Sequence, residues 1–144
     1  MKRVALVLLI LALGVGVVLC GCMGAQTSPQ DSQTTPQAAG EYRKITAEQA
    51  KAMMQDTDGW VLLDVRTQEE FEAQCIAGAI LIPDDEIASR VADEIPDKDA
   101  LILIYCRSGR RSANAAHEMA DMGYTNVYDF GGIIDWPYDT AGGE

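Results

Sequence analysis

The sequence is poor in side chains that bind metals. It contains one histidine, His117, and four cysteines, at positions 20, 22, 75 and 106. Zinc sites use Cys and His at short repeated spacings, and the single Cys-x-Cys spacing here lies within an apolar N-terminal run. We therefore expect no metal site and no cofactor.

Positive charge is also scarce. The chain has 11 Lys and Arg against 22 Asp and Glu, a formal net charge of −11, and loss of Met1–Cys22 with its two cations would leave −13. Proteins that bind nucleic acid carry a basic surface, so we exclude nucleic acid as a partner. Against this background, Arg107, Arg110 and Arg111 fall within five residues of each other, a concentration that calls for a local reason.

No apolar run is long enough to span a bilayer in the usual way. The run Val4–Leu19 has 16 residues, whereas a spanning helix needs about 20. Lys2 and Arg3 precede it and small residues follow around Gly21, which is the arrangement of a secretory signal peptide. The sequence predicts export, with a retained membrane anchor as the alternative.

The end of this run resembles the bacterial lipobox, in which a small residue precedes the lipidated Cys and Leu stands three positions before it. Cys22 fits that pattern, and Cys20 fits it less well because Leu19 precedes it. We predict a signal peptide with lipobox over residues 1–22 and lipid on Cys22. The mature protein would then be an extracytoplasmic, membrane-anchored lipoprotein on the periplasmic or cell-surface face. An ordinary cleaved signal with incidental cysteines is the alternative.

The remaining chain divides in two. Residues 23–41 are mostly Gln, Thr, Ser, Pro, Ala and Gly without hydrophobic periodicity, a composition typical of a flexible polar tether. Residues 42–144 have the length of one domain.

Within that domain, apolar runs alternate with helical patterns. Thr46 and Thr67 each stand three residues before Gln or Glu, the spacing of a helix capping box. We predict strands at 42–45, 60–65, 79–82, 101–105 and 126–130, helices at 47–55, 68–74, 87–95 and 112–122, and a terminal turn or helix over 131–136. This alternation indicates an α/β fold with a parallel sheet and helices on both faces.

The segment Cys106–Ser112 joins the most apolar strand to a helix. In such a loop several backbone N–H groups can converge at a helix N-terminus and bind an anion, and Gly109 permits the tight backbone. These N–H groups and the three arginines favour thiolate at Cys106, so its pKa should be depressed. The alternative is a buried structural cysteine beside arginines that only solvate the loop.

Several motifs resemble the single-domain rhodanese family in their order and spacing over residues 42–136. They are Asp64-Val65-Arg66, Glu69-Glu70-Phe71, Ile76–Pro83, Tyr105–Ser112, Gly131-Gly132 and Trp136.

This resemblance implies a rhodanese-like three-layer α/β/α fold with a five-stranded parallel sheet. It also implies a sulfurtransferase that moves sulfane sulfur from thiosulfate, a persulfide or a polysulfide to a thiol or other thiophilic acceptor. Cys106 would be the catalytic nucleophile and carry the sulfur as a persulfide. The substrate-binding residues implied are Arg107, Ser108, Gly109, Arg110 and Arg111, with the backbone cradling the persulfide and the arginine side chains setting anion preference. Asp64 and Arg66 are interpreted as structural.

Two other functions remain open. One is a non-catalytic module that binds a partner or carries or senses sulfide. The other is a phosphatase or arsenate reductase of the related fold, which would place Arg six residues after the Cys, where Ser112 stands here.

Cys75 precedes the strand 79–82 and should lie at the opposite end of the sheet from Cys106. Four strand residues span roughly 13 Å, more than the 4.4–6.8 Å or so between bridged Cα atoms. We therefore predict two independent thiols, with Cys75 buried and inert. His117 is predicted to lie on a helix surface.

Overall fold

A computed structural model describes residues 42–142, which form five β-strands, four α-helices and one 3-10 helix. In chain order these are β1 (Arg43–Lys44), α1 (Ala47–Asp56), β2 (Val61–Asp64), α2 (Gln68–Ala73), β3 (Ala79–Leu81), α3 (Ile87–Glu94), β4 (Ile102–Cys106), α4 (Arg110–Asp121), β5 (Val127–Gly132) and the 3-10 helix (Ile133–Asp135). The predicted signal peptide, the tether and the lipidation site Cys22 lie outside the described residues, so the boundaries 1–22, 23–41 and 42–144 stay predictions.

Both predicted capping boxes are confirmed. The Thr46 hydroxyl accepts the Gln49 N–H at 3.2 Å while the Gln49 side chain accepts the Thr46 N–H at 2.9 Å. Thr67 and Glu70 exchange the equivalent bonds at 3.3 and 3.2 Å. These bonds satisfy N–H groups that have no partner within the helix, and they set the starts of α1 and α2.

The sheet is parallel throughout, with strand order β1-β5-β4-β2-β3, so the predicted α/β fold and five-stranded sheet are confirmed. β4 is central, and all five of its residues are buried. A strand covered on both faces consists of apolar residues almost without interruption, which is the pattern that marked this segment in the sequence.

Helices cover both faces of the sheet. On one face, α3 and α4 pack against Leu63, Ile102, Ile104 and Val127. On the other face, α1 and the 3-10 helix pack against Leu62, Leu103, Tyr105 and Phe130. Because side chains alternate along a strand, Cys106 points to the same face as Ile104 and belongs to the α3–α4 core.

Two predicted boundaries at the site are wrong. Helix α4 begins at Arg110 rather than at Ser112, because Gly109 takes a left-handed conformation (φ 93°) at the N-cap and turns the chain into the helix early. Strand β5 extends to Gly132 rather than ending at Phe130, and Gly132 is also the N-cap of the predicted terminal turn, a 3-10 helix over Ile133–Asp135. Arg110 and Arg111 therefore lie in the first helical turn.

Cys75 is half-buried rather than buried, because it lies in a short antiparallel bridge with Ala141 near the end of the chain.

Within residues 42–142, no helix combines the length and apolar composition that crossing a bilayer requires. The same range holds no group of three or more His, Cys, Asp or Glu side chains placed to bind a metal.

Candidate active site

Cys106 is the last residue of β4, at the carboxyl end of the sheet, and only 1% of it is exposed. In parallel α/β sheets the loops at this end form the ligand-binding crevice. The structure therefore places the predicted nucleophile where the topology leaves room for a substrate.

The sulfur of Cys106 is surrounded by hydrogen-bond donors. The Gly109 N–H donates to Sγ at 3.1 Å. Burial by itself raises the pKa of Cys106, but hydrogen bonds from the Ser112 hydroxyl and from the backbone N–H groups of Ser112, Ser108 and Gly109 outweigh it. The pKa of Cys106 is lowered, so the loop stabilises the thiolate, which is the nucleophilic form.

Ser112 is a site residue whose side-chain role the sequence reasoning missed. It is buried in the first turn of α4, and its Oγ lies 3.3 Å from the Gly109 carbonyl oxygen and 3.2 Å from that of Gly131. A hydroxyl has one proton to donate, and a thiolate is a stronger acceptor than a neutral carbonyl. We therefore expect the Ser112 proton to turn from the carbonyls to the sulfur when Cys106 is ionised. Its fixed position after the loop is the sequence signal that could have found it.

We expect Ser112→Ala to raise the pKa of Cys106. Iodoacetamide alkylates the thiolate and not the thiol. In wild type, the alkylation rate of Cys106 should therefore stay high below the ordinary pKa of a thiol and fall as the pH drops through the lowered pKa of Cys106. In Ser112→Ala the alkylation rate should fall at a higher pH. At a pH where the variant rate has begun to fall, it should be about tenfold below the wild-type rate, which is the effect of losing one hydrogen bond to a charged group. Peptide mass spectrometry after iodoacetamide treatment at a series of pH values measures this.

Ser89→Ala is the matched control, because Ser89 is exposed on α3 and its hydroxyl bonds only the Glu86 carbonyl. Identical pH profiles for wild type and Ser112→Ala would contradict a role of the hydroxyl.

Two glycines pack against the back of the Cys106 loop. A Cβ on Gly132 would lie 2.4 Å from the Arg107 carbonyl oxygen and 2.6 Å from the Ser108 Cα. Gly131 has a φ of 94°, and its Cα would lie 3.3 Å from a Cβ on Gly109. The end of β5 therefore supports the loop by direct backbone contact, which only glycine permits.

Asp129 holds this glycine turn. It is fully buried, and its Oδ1 accepts the Gly131 N–H at 3.0 Å. Its Oδ2 has no hydrogen-bond partner among the described residues. The sequence reasoning missed Asp129, because nothing in its local spacing distinguishes it from a surface aspartate.

The three loop arginines have different surroundings. Arg107 and Arg110 are exposed, and neither has a carboxylate partner among residues 42–142. Arg111 is partly buried and pairs with Glu70, with 2.8 Å between Nη2 and Oε2. The predicted anion-binding set is thus brought to one loop, but one of its three charges is already engaged.

A cavity of about 320 Å³ lies beside the loop. It is lined by Arg66, Glu70, Ala73, Gln74, Arg107, Ile133 and Ile134. Ile134 is 64% exposed, so the cavity has an apolar side and a charged side.

Asp64 and Arg66 form a buried ion pair, 0% and 4% exposed, with 2.7 Å between Arg66 Nη2 and Asp64 Oδ2. The Arg66 Nε and backbone N–H also donate to Asp64, and Nη2 donates to the Gln74 carbonyl. This network ties the end of β2 to the end of α2. It agrees with the structural interpretation of both residues, although Arg66 also borders the cavity.

The other titratable candidates are not part of the loop. Cys75 and Cys106 are both free, which confirms that the two thiols are independent. His117 is 63% exposed on α4, with its ring nitrogen 3.5 Å from Asp121, which confirms the predicted surface position.

Most of the described domain is similar in sequence to known proteins. Residues 46–137 match the family model of the rhodanese-like domain. The chain is 40% identical over 73 residues to the thiosulfate sulfurtransferase PspE of Escherichia coli (strain K12), covering 51% of this chain and 70% of that protein. It is 38% identical over 94 residues to a sulfurtransferase of Allochromatium vinosum, covering 65% and 86%.

A solved structure, a rhodanese with anions from E. coli, superposes with a TM-score of 0.55 at 36% identity. The match covers 58% of this chain and 98% of that one.

Proposed function

Because this chain belongs to the rhodanese-like domain family, we propose that it is a sulfurtransferase that carries sulfane sulfur on Cys106. The donor would be a small anion such as thiosulfate, a persulfide or a polysulfide, and the acceptor a thiol or another thiophilic group. The named relatives include a thiosulfate sulfurtransferase, which supports that donor class.

One observation carries the proposal: the Cys106 sulfur accepts hydrogen bonds from backbone N–H groups of the loop that follows it, with the Gly109 N–H at 3.1 Å. Donors fixed in this way can bind the thiolate before reaction and the terminal sulfur of the persulfide after it. The exposed Arg107 and Arg110 beside the loop would attract the anionic donor.

The reaction has two steps, each a displacement at sulfur. The Cys106 thiolate attacks the outer sulfur of thiosulfate, a new S–S bond forms, and sulfite leaves with the electron pair of the broken S–S bond. The acceptor thiolate then attacks the terminal sulfur of the persulfide, and Cys106 leaves as thiolate. Atoms and electrons balance without an external oxidant or reductant.

Intact-mass spectrometry of the full chain tests this. Wild type incubated with thiosulfate should gain the mass of one sulfur atom and lose it again on addition of cyanide, with thiocyanate as the product. Cys106→Ser should gain nothing, because the hydroxyl is not ionised at neutral pH and cannot hold a persulfide. Cys75→Ser is the matched control and should behave as wild type, since Cys75 lies outside the Cys106 loop, in a bridge with Ala141.

Failure has two informative forms. A chain that takes up sulfur but never passes it on would support a carrier or sensor. A chain that takes up none from thiosulfate or polysulfide, although Cys106 still reacts with iodoacetamide, would contradict the proposal and favour a binding module. A phosphatase is disfavoured because Ser112 occupies the position where such enzymes place Arg.

We also propose that the domain is presented outside the cytoplasm on a lipid attached to Cys22. The support is the charged start, the apolar run and the lipobox-like residues within Met1–Cys22. One acylated terminus with a polar segment behind it would leave the domain free above a membrane surface. Thiosulfate, polysulfide or a partner's thiol would then reach Cys106 from the extracytoplasmic side.

A further inference from the structure

We propose that Glu70 determines which sulfur donors this site prefers, by holding Arg111 in an ion pair. This rests on the proposed sulfurtransferase function and adds the charge class of the donor. Glu70 neutralises one of the three loop cations, and it therefore weakens the preference of the site for donors that carry a second negative charge, such as thiosulfate.

The pair is well formed, and its arginine lies in the first turn of α4, directly after the Cys106 loop. Arg111 Nη2 lies 2.9 Å from Oε1 and 2.8 Å from Oε2 of Glu70, with 18% and 28% of the two side chains exposed. Burial alone lowers the pKa of Arg111, but Glu70 and the charges of Cys106 and Asp84 raise it. The Arg111 guanidinium therefore experiences the Cys106 thiolate and the Glu70 carboxylate together.

Glu70 is fixed in place independently of Arg111. It is the N3 residue of α2, and its Oε2 accepts the Thr67 N–H at 3.2 Å in the capping box. Burial raises the pKa of Glu70, but hydrogen bonds from Arg111 and from the Thr67 backbone and the charges of Arg111 and Arg66 lower it overall. The Glu70 carboxylate stays ionised at neutral pH. If its side chain moved away from Arg111, it would lose its hydrogen bond with the Thr67 N–H.

Glu70 also faces the space that a substrate would enter. Together with Arg107 it lines the cavity of about 320 Å³ beside the loop. Arg66, which lines the same cavity, is neutralised by Asp64. Among residues 42–142, the loop cations without a carboxylate partner are therefore Arg107 and Arg110. A dianion that enters through the cavity meets the unpaired Arg107 and the Glu70 carboxylate.

Two donors isolate the effect of charge. Thiosulfate and methanethiosulfonate both present a sulfane sulfur on an oxidised sulfur atom, but a methyl group in the second replaces one charged oxygen of the first. Attack by Cys106 breaks the same type of S–S bond in each, releasing sulfite or methanesulfinate with the electron pair. The ratio of kcat/KM for thiosulfate to kcat/KM for methanethiosulfonate thus measures the preference for the second negative charge.

Glu70→Gln in the full chain is the test. Gln is the other residue that completes a capping box, so the start of α2 is kept while the charge is removed. We expect the thiosulfate-to-methanethiosulfonate ratio to rise roughly two- to fivefold, the effect of releasing one partly exposed ion pair. Glu69→Gln is the matched control. It is the neighbouring residue, it is exposed, and it changes the net charge equally; its ratio should equal that of wild type.

Arg111→Gln provides the second measurement. If Glu70 acts mainly through Arg111, then adding Glu70→Gln to Arg111→Gln should raise the ratio by less than Glu70→Gln raises it in the wild-type chain. An unchanged ratio in Glu70→Gln alone, or an equal fall in kcat for both donors, would overturn the proposal, because Glu70 would then only cap α2 or position the loop. A wild-type chain that accepts sulfur from neither donor would instead overturn the sulfurtransferase function itself.

Discussion

Replacing Gly132 by alanine should abolish most of the sulfur uptake of Cys106. The added methyl would lie 2.4 Å from the Arg107 carbonyl oxygen, 2.9 Å from the Arg107 carbonyl carbon and 2.6 Å from the Ser108 Cα. All three are backbone atoms, so no side chain can rotate to relieve the clash, and the loop must move away from β5. A shift of about 1 Å in a reactive group can lower a rate on the order of 100-fold, and overpacking of this kind costs about 1–3 kcal/mol of stability.

Sulfur uptake by intact-mass spectrometry and thermal unfolding of the same samples measure the two effects. Gly59→Ala is the control, because a Cβ there meets nothing within 4 Å and Gly59 precedes β2 at the opposite end of the sheet. Gly59→Ala introduces backbone strain, because Gly59 has a positive φ, but no clash. Gly132→Ala introduces the clash with the Arg107 and Ser108 backbone. If Gly132→Ala took up sulfur at the wild-type rate, the loop would not depend on support from β5.

The largest loss of stability is expected from Asp64→Ala. This change leaves the Arg66 guanidinium 4% exposed and without its carboxylate, and an unpaired buried charge costs about 3–5 kcal/mol. Since domains of this size are stable by about 5–15 kcal/mol in total, a large part of the free energy of unfolding would be lost. Urea denaturation followed by tryptophan fluorescence gives that free energy.

Two variants check the cause. Asp64→Ala combined with Arg66→Met removes both charges and should recover much of the loss, because a buried ion pair replaced by apolar groups is often close to neutral. Asp93→Ala changes an aspartate that is exposed on α3 and should alter stability by less than about 0.5 kcal/mol. If Asp64→Ala and the double variant Asp64→Ala with Arg66→Met lost equal stability, Asp64 would contribute through packing and not through its charge.

Much of the fold could be predicted from the sequence because its signals are local. The apolar run 101–105 gave the central strand to within one residue of Ile102–Cys106. The hydroxyl of Thr67 and the carboxylate of Glu70, three residues apart, gave the start of α2. Since Cys106 directly follows this run, the parallel topology alone then placed it at the carboxyl end of the sheet.

The details of the site depend on contacts that no local pattern contains. Glu70 and Arg111 are 41 residues apart, and their pairing requires α2 and α4 to meet at the loop. Gly132, at the end of β5, contacts the Arg107 backbone just after the neighbouring strand β4. The early start of α4 depends on the backbone conformation of Gly109 rather than on a capping side chain, so the usual N-cap residues gave no sign of it.

The central position of β4 has a consequence for how long the site survives thermal fluctuation. Its backbone is bonded to β2 on one side and β5 on the other, and its side chains are buried on both faces. Terminal strands and loops open locally at little cost, but a segment enclosed in this way exchanges its amide protons only when the whole domain opens. The atom that would carry the sulfur is therefore attached to the last part of the domain to come apart.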